Sequence, residues 1–167
     1  MASASSMAIF RGEAMKKILI VYHSQQKGNT KKMAELVAQG CREVGGVEVQ
    51  LVNVNEVRVD MKDVEASDGL ALGTPDYFTY MAGGLKQFFD DAKIAEYARR
   101  PVTGKPYVAF VTHGGGGGAI QSVEKLAASM KYEKVAESAV VRGAPAGPDV
   151  EKSLELGRAL ARRVTTA

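Results

Sequence analysis

The chain has 167 residues, enough for one domain with a substantial core. Its 46% hydrophobic and 25% charged residues are ordinary for a soluble globular protein, and its formal charge of +3 comes from scattered basic residues rather than a patch or stripe, which argues against nucleic acid as a partner. No apolar run approaches the ~20 residues of a membrane span, and the single cysteine, Cys41, allows no internal disulfide and lacks the neighbours of a metal site.

Residues 1–14 (MASASSMAIFRGEA) lack the apolar core of a secretory signal and read as a disordered extension, leaving 15–167 as a single domain expected in the cytoplasm. Ile18 to Tyr22 form a short apolar run rich in β-branched residues, as in a strand buried on both faces. From Thr30 the period changes: Met33, Leu36, Val37, Gly40, Cys41 and Val44 recur at helical spacing, so Cys41 reads as a buried structural thiol. Gly45-Gly46 stops that helix, and Val47, Val49, Leu51 and Val54 mark a second strand whose alternation with Glu48, Gln50 and Asn53 suits a sheet edge. A short helix is expected at 61–66, and residues 69–73 (GLALG) read as a third strand running into a loop crowded with aromatics, Thr74 to Tyr80. A long amphipathic helix follows with Met81, Leu85, Phe88, Phe89 and Ala92 inward. Residues 107–112 (YVAFVT) form the fourth strand, His113 and five glycines (Gly114 to Gly118) follow, and Ile120 to Met130 mark the fourth helix. The fifth strand is expected at 138–142, and Pro148 opens the last helix, proline suiting the first helical position.

Alternation of this kind predicts an α/β fold, a parallel sheet with helices on both faces. Ligands of such sheets bind beyond the carboxyl ends of the strands. The loops after strands one, three and four are the unusual ones, and all three open at that edge. The first places Ser24, Gln25, Gln26, Lys27 and Gly28 before a helix start, where unpaired N–H groups and partial positive charge make a seat for phosphate. A plain helix cap by Asn29 or Thr30 fits the same residues. Neither G-x-x-x-x-G-K-[ST] nor G-x-G-x-x-G occurs after the first strand, which excludes a P-loop nucleotidase and a dinucleotide fold. A receiver domain would need acidic residues after strands one and three, where Tyr22-His23-Ser24 and Gly73-Thr74 stand, and a cysteine phosphatase would need its nucleophile in the first loop, which has none; no metal is expected. A phosphate loop, an aromatic loop and a loop stripped of side chains together suit a flat, phosphorylated, aromatic ligand.

On these residues the chain resembles the flavodoxin-like family. KILIVYHSQQKGNTKKMAELVAQG is similar to that family's first strand, phosphate loop and first helix: Ser24, Gly28, Asn29 and Thr30 match, while Gln25-Gln26-Lys27 departs by one extra residue and a lost threonine, with Lys27 bringing a cation. GTPDYFTYMAGGLKQFFD and FVTHGGGGG are similar to the branch of FMN-dependent NAD(P)H:quinone oxidoreductases known as tryptophan-repressor-binding proteins. The resemblance implies a three-layer, doubly wound, five-stranded parallel sheet in the order 2-1-3-4-5, with FMN as cofactor. Ser24, Gln26, Lys27, Gly28, Asn29 and Thr30 would hold its phosphate. Thr74, Pro75, Asp76, Tyr77, Phe78 and Thr79 would run along the ribityl chain and ring, with Thr112, His113, Gly114, Gly115 and Gly116 on the pyrimidine side. Tyr77, Phe78 and Tyr80 also suit subunit contacts, and a dimer or tetramer burying part of the aromatic loop is expected.

His113 is the candidate catalytic residue, able to hydrogen-bond the reduced flavin or guide a substrate; a histidine that only caps the strand end fits equally. His23 reads as structural, and Asp76 is a candidate proton donor. Two functions follow. An enzyme would take hydride from NAD(P)H and reduce a quinone-like acceptor; a flavodoxin-type carrier would pass single electrons between redox protein partners. The mild positive charge and the lack of an aromatic after strand four favour the enzyme, because one flavin face stays open. A degenerate member that binds no flavin and acts as a regulator is the third reading, suggested by the extra residue in the first loop.

Overall fold

A computed structural model of the chain describes residues 14–166. The expected disordered extension lies, except for Ala14, outside the described residues. In chain order the elements are β1 (Lys16–Tyr22), α1 (Asn29–Val44), β2 (Val47–Asn53), α2 (Met61–Ala66), β3 (Gly69–Tyr77), β4 (Tyr80–Met81), α3 (Gly83–Tyr97), β5 (Pro106–His113), α4 (Ala119–Ser129), β6 (Glu133–Lys134), β7 (Ala139–Arg142) and α5 (Pro148–Thr166). The sheet runs β2-β1-β3-β5, with β6 and β7 both alongside β5. The pairings β1–β2, β1–β3, β3–β5, β5–β6 and β5–β7 are all parallel.

The continuous apolar run of β1 has a direct cause. Leu19 and Val21 pack into one core with Val64, Leu85, Phe88 and Val123, under α2, α3 and α4. Ile18, Ile20 and Tyr22 face the opposite core with Met33, Val37, Cys41 and Leu160, under α1 and α5. Successive strand side chains point to opposite faces, so a central strand covered on both sides has no place for polar residues. β2 is the edge, and Glu48 and Gln50 are exposed there. On the second face α1 and α5 meet backbone to backbone: a Cβ on Gly40 would lie 2.0 Å from the Leu154 carbonyl oxygen, and one on Gly157 would lie 2.0 Å from that of Val37.

The doubly wound sheet agrees with the sequence expectation, with three local differences. The fifth strand position is shared: β6 pairs with Pro106 and Tyr107, β7 pairs with Phe110 to His113, and residues 135–138 run between them. β3 continues through the expected aromatic loop to Tyr77 and turns back as β4 in a two-residue antiparallel hairpin, Asp76 opposite Met81 and Tyr77 opposite Tyr80. Phe78 and Thr79 make the turn at φ 58° and 60°, left-handed values for which Asn-Gly is the usual sequence, so nothing in the composition signalled a hairpin. Met81 is buried as expected, but in β4, and the long helix α3 begins only at Gly83. Among the described residues no helix is long and apolar enough to cross a membrane.

Candidate functional site

The carboxyl edge of the sheet brings the unusual loops together. Ser24, just past β1, is buried and used internally: its N–H donates to Asn53 Oδ1 (3.0 Å), its carbonyl accepts from Asn53 Nδ2 (3.0 Å) and its Oγ accepts from the Lys31 N–H (3.1 Å). That fixes the loop to β2 and supplies one of the acceptors the start of α1 needs. Gln26 (φ 52°) and Gly28 (φ 73°) turn the chain into the helix, with the Gly28 N–H on the Gln25 carbonyl (3.2 Å). Neither Asn29 nor Thr30 caps α1; the capping position is Gly28 and carries no side-chain bond. Thr30 instead reaches across to β5, its Oγ1 2.7 Å from Thr112 Oγ1 in a buried pair. Among the described residues the backbone N–H groups of Gln26, Lys27, Asn29 and Thr30 have no acceptor.

His23 anchors the same loop from behind. Only 6% exposed, it accepts the Gly84 N–H at Nδ1 (3.2 Å), and its Nε2 lies 3.4 Å from Gln25 Oε1. The proton therefore sits on Nε2, and burial pushes the imidazole pKa below its ordinary value. The expected structural role is what the geometry gives. Tyr77 stands edge-on to this ring, centroids 6.1 Å apart.

In the β3–β4 hairpin, Asp76 spends both carboxylate oxygens on backbone: Oδ1 accepts from Thr79 (2.8 Å) and Oδ2 from Ala119 (3.1 Å) at the start of α4. Thr74 is fully buried, and its Oγ1 accepts from the Ala82 N–H (2.9 Å) before α3. After β5, His113 Nδ1 accepts the Gly116 N–H (3.0 Å), which folds the first glycines back over the strand end. A Cβ on Gly114 or Gly115 would meet nothing within 4 Å, so this stretch presents bare backbone to open space. Gly117 is different: at φ 81° it lies where a Cβ would be 2.6 Å from Val140.

These loops enclose a cleft of about 250 Å³ lined by Gln25, Gln26, Lys27, Asn29, Thr30, Pro75, Asp76, Tyr77, Thr112, His113, Gly114 and Gly143. Ten of its walls are therefore candidate residues read from the sequence. Ser24, Gly28, Thr74, Phe78, Thr79, Gly115 and Gly116 stand outside the lining. Ser24 and Thr74 brace it from below, Gly28 shapes the turn, and Phe78 is wholly exposed at the hairpin tip. Gln25 was read as part of the phosphate loop but not among the residues that hold the phosphate, and Gly143 was missed. Gly143 follows β7, and only the general rule that every parallel strand ends at this edge pointed to it. A roomier hollow of about 580 Å³ between β7 and α5 is lined mainly by Ala136, Ala139, Val140, Leu156 and flanking polar residues, and shares no lining residue with the cleft.

The residues present fit a flavin mononucleotide. Unpaired N–H donors and Lys27 at a helix start suit a phosphate dianion, and Tyr77 with bare glycine backbone suits a flat ring. An α/β protein with a mononucleotide cleft at the switch point of its sheet is a flavodoxin-like protein. Residues 16–145 match the family described as NADPH-dependent FMN reductase, and the chain belongs to that family. FMN, the cofactor expected from the sequence, is borne out by this membership. A flavodoxin of Aquifex aeolicus is 42% identical over 104 residues, which are 62% of this chain and 54% of that protein. The coenzyme F420H(2) oxidase of Methanothermobacter marburgensis is 27% identical over 92% of this chain and 37% of its own length. The chain thus spans about half, or less, of the curated relatives it matches. Among solved structures, a flavodoxin, WrbA-like protein from Agrobacterium tumefaciens superposes with a TM-score of 0.75 at 20% identity, over 90% of this chain and 98% of that one, which speaks for the fold.

Proposed function

We propose that the protein is an FMN-dependent oxidoreductase that moves reducing equivalents from NAD(P)H to a quinone-like acceptor, as in the tryptophan-repressor-binding branch of the flavodoxin-like proteins. The observation that carries this is the open space over Gly114 and Gly115 beside the cleft. Hydride transfer requires the donor carbon to come within about 3–3.5 Å of its target, so one ring face must be free. FMN, when bound, supplies the two-electron and one-electron redox chemistry.

The chain's own residues do the rest. The N–H groups of Gln26, Lys27, Asn29 and Thr30 hold the phosphate, assisted by the Lys27 ammonium. The Thr30–Thr112 bond ties that loop to β5, so phosphate and ring ends of the cleft keep their separation. Tyr77 offers one ring face, and Asp76 holds the hairpin against α4. With Nδ1 accepting from Gly116, a neutral His113 carries its proton on Nε2 and acts as a donor to the occupant of the cleft. Asp76, with both oxygens committed to N–H groups, is an anchor rather than a proton donor.

The carrier reading stands second, favoured by the 42% identity to the A. aeolicus flavodoxin. Anaerobic mixing of FMN-loaded protein with NADH and with NADPH separates the two. Rapid bleaching of the flavin with turnover of added quinone is expected. Indifference to both nucleotides would leave the carrier. Protein that stays colourless after incubation with FMN would sink both.

A further inference from the structure

We infer that His23 is a positioning residue of the cleft: it turns the Gln25 carboxamide so that its NH2 group is offered as a donor to the phosphate of FMN. This rests on the FMN reading above and adds to it a binding residue, Gln25, and the device that orients it. His23 Nδ1 accepts the Gly84 N–H (3.2 Å), so the neutral ring, which burial favours, carries its proton on Nε2. That N–H points at Gln25 Oε1, 3.4 Å away. The bond is long and therefore weak, but it decides which end of the amide faces the histidine, because the flipped amide would set N–H against N–H. The NH2 end is left over. It has no acceptor among the described residues, and Gln25 lines the cleft beside Gln26, Lys27, Asn29 and Thr30. A phosphate monoester brings acceptor oxygens to the place where that donor stands.

The ring that sets this orientation is itself fixed. It is buried, and a Cβ on Gly84 would lie 2.7 Å from Nδ1, so the start of α3 closes on it as tightly as a glycine allows. Tyr77 stands edge-on to it from the hairpin. Turning the ring over would present a C–H to the Gly84 N–H and leave that buried donor without an acceptor. The Gln25 backbone is held as well, its carbonyl accepting the Gly28 N–H (3.2 Å) across the turn made at Gln26. With both backbone and ring in place, one contact at the tip is enough to direct the side chain. Gln25 is exposed, and an unanchored glutamine would lose its rotamer freedom on binding. Anchoring Oε1 beforehand removes part of that loss, which is preorganisation of the donor. The line from Gly84 through His23 to Gln25 thus joins the start of α3 to the phosphate loop.

The test reads binding rather than turnover. FMN and riboflavin are titrated into the full chain freed of flavin, and the quenching of flavin fluorescence is followed. Gln25→Ala should weaken FMN about tenfold or more, the worth of one hydrogen bond to a charged group, and leave riboflavin nearly unchanged. Gln25→Glu keeps an oxygen on His23 but turns a second one toward the phosphate, and should weaken FMN further than alanine does. His23→Phe should also weaken FMN, and Gln25→Ala should then add little in the His23→Phe background, as for two residues that act as one unit. Nitrogen NMR of the two histidine rings, assigned with His113→Gln, should show His23 protonated on Nε2 in the unsubstituted site. The inference is overturned by a proton on Nδ1, by no loss of FMN affinity in Gln25→Ala, by equal losses for FMN and riboflavin, or by full additivity in the double variant. Protein that takes up neither flavin would sink the FMN reading, and this inference with it.

Discussion

His23 shows how one side chain can serve a site without touching its ligand. The Gly84 N–H needs an acceptor at the start of α3, and only a neutral imidazole can accept at Nδ1. Because burial lowers the folded-state pKa below the ordinary 6.5, the unfolded chain binds a proton more readily. Stability from this group is therefore fully present above about pH 6.5 and is lost as the pH falls through the lowered folded value. Urea unfolding from pH 7.5 down to pH 5 is expected to show this limb, and His23→Gln to flatten it; an unchanged limb would mean other groups carry it. Cys41 lies in the core under α1 and α5, on the other face of the sheet from α3, and burial pushes its thiol pKa up to about 12. It should resist a thiol-reactive dye in native protein and react once the chain is unfolded, and rapid native labelling would contradict its placement.

At the level of elements, the closest tolerance is between α1 and α5. Gly157→Ala would drive a methyl carbon to 2.0 Å from the Val37 carbonyl oxygen, so the helices must part. A loss of roughly 1–3 kcal/mol, the range for overpacking, is expected as a lower denaturation midpoint, and no loss would mean the helices sit further apart. The elements differ in how well the sequence announced them. β1 and α1 were plain because burial on two faces, and then on one stripe, each imposes a period. The β3–β4 hairpin was not, because its turn is made by Phe78 and Thr79, residues that ordinarily avoid positive φ. The split of the fifth strand into β6 and β7 was hidden for another reason: residues 135–138 (VAES) hold no proline or glycine to mark it. In the cleft, polar loop residues announced themselves by type, while the inward turn of Ser24 depended on Asn53, 29 residues away.

At the scale of the whole molecule, four backbone N–H groups without an acceptor among the described residues, those of Gln26, Lys27, Asn29 and Thr30, stand at the carboxyl edge of the sheet, and they predict how its stability responds to ligands. A ligand that binds only the folded chain stabilises it by about 2.7 kcal/mol at a hundred times its dissociation constant. For a domain of this size each kcal/mol moves the midpoint of thermal unfolding by roughly 2–4 °C, so saturating FMN should raise the midpoint by about 5–11 °C. Riboflavin carries the same ring without the phosphate. If the N–H groups of Gln26, Lys27, Asn29 and Thr30 hold the phosphate, riboflavin should give a clearly smaller shift at equal concentration, and inorganic phosphate should compete with FMN. Thr30→Val, which removes the buried bond to Thr112 Oγ1, should reduce the FMN shift more than the riboflavin shift, because it frees the phosphate loop from β5. Equal shifts for the two flavins would place the binding energy in the ring alone and leave the free donors at the start of α1 to solvent.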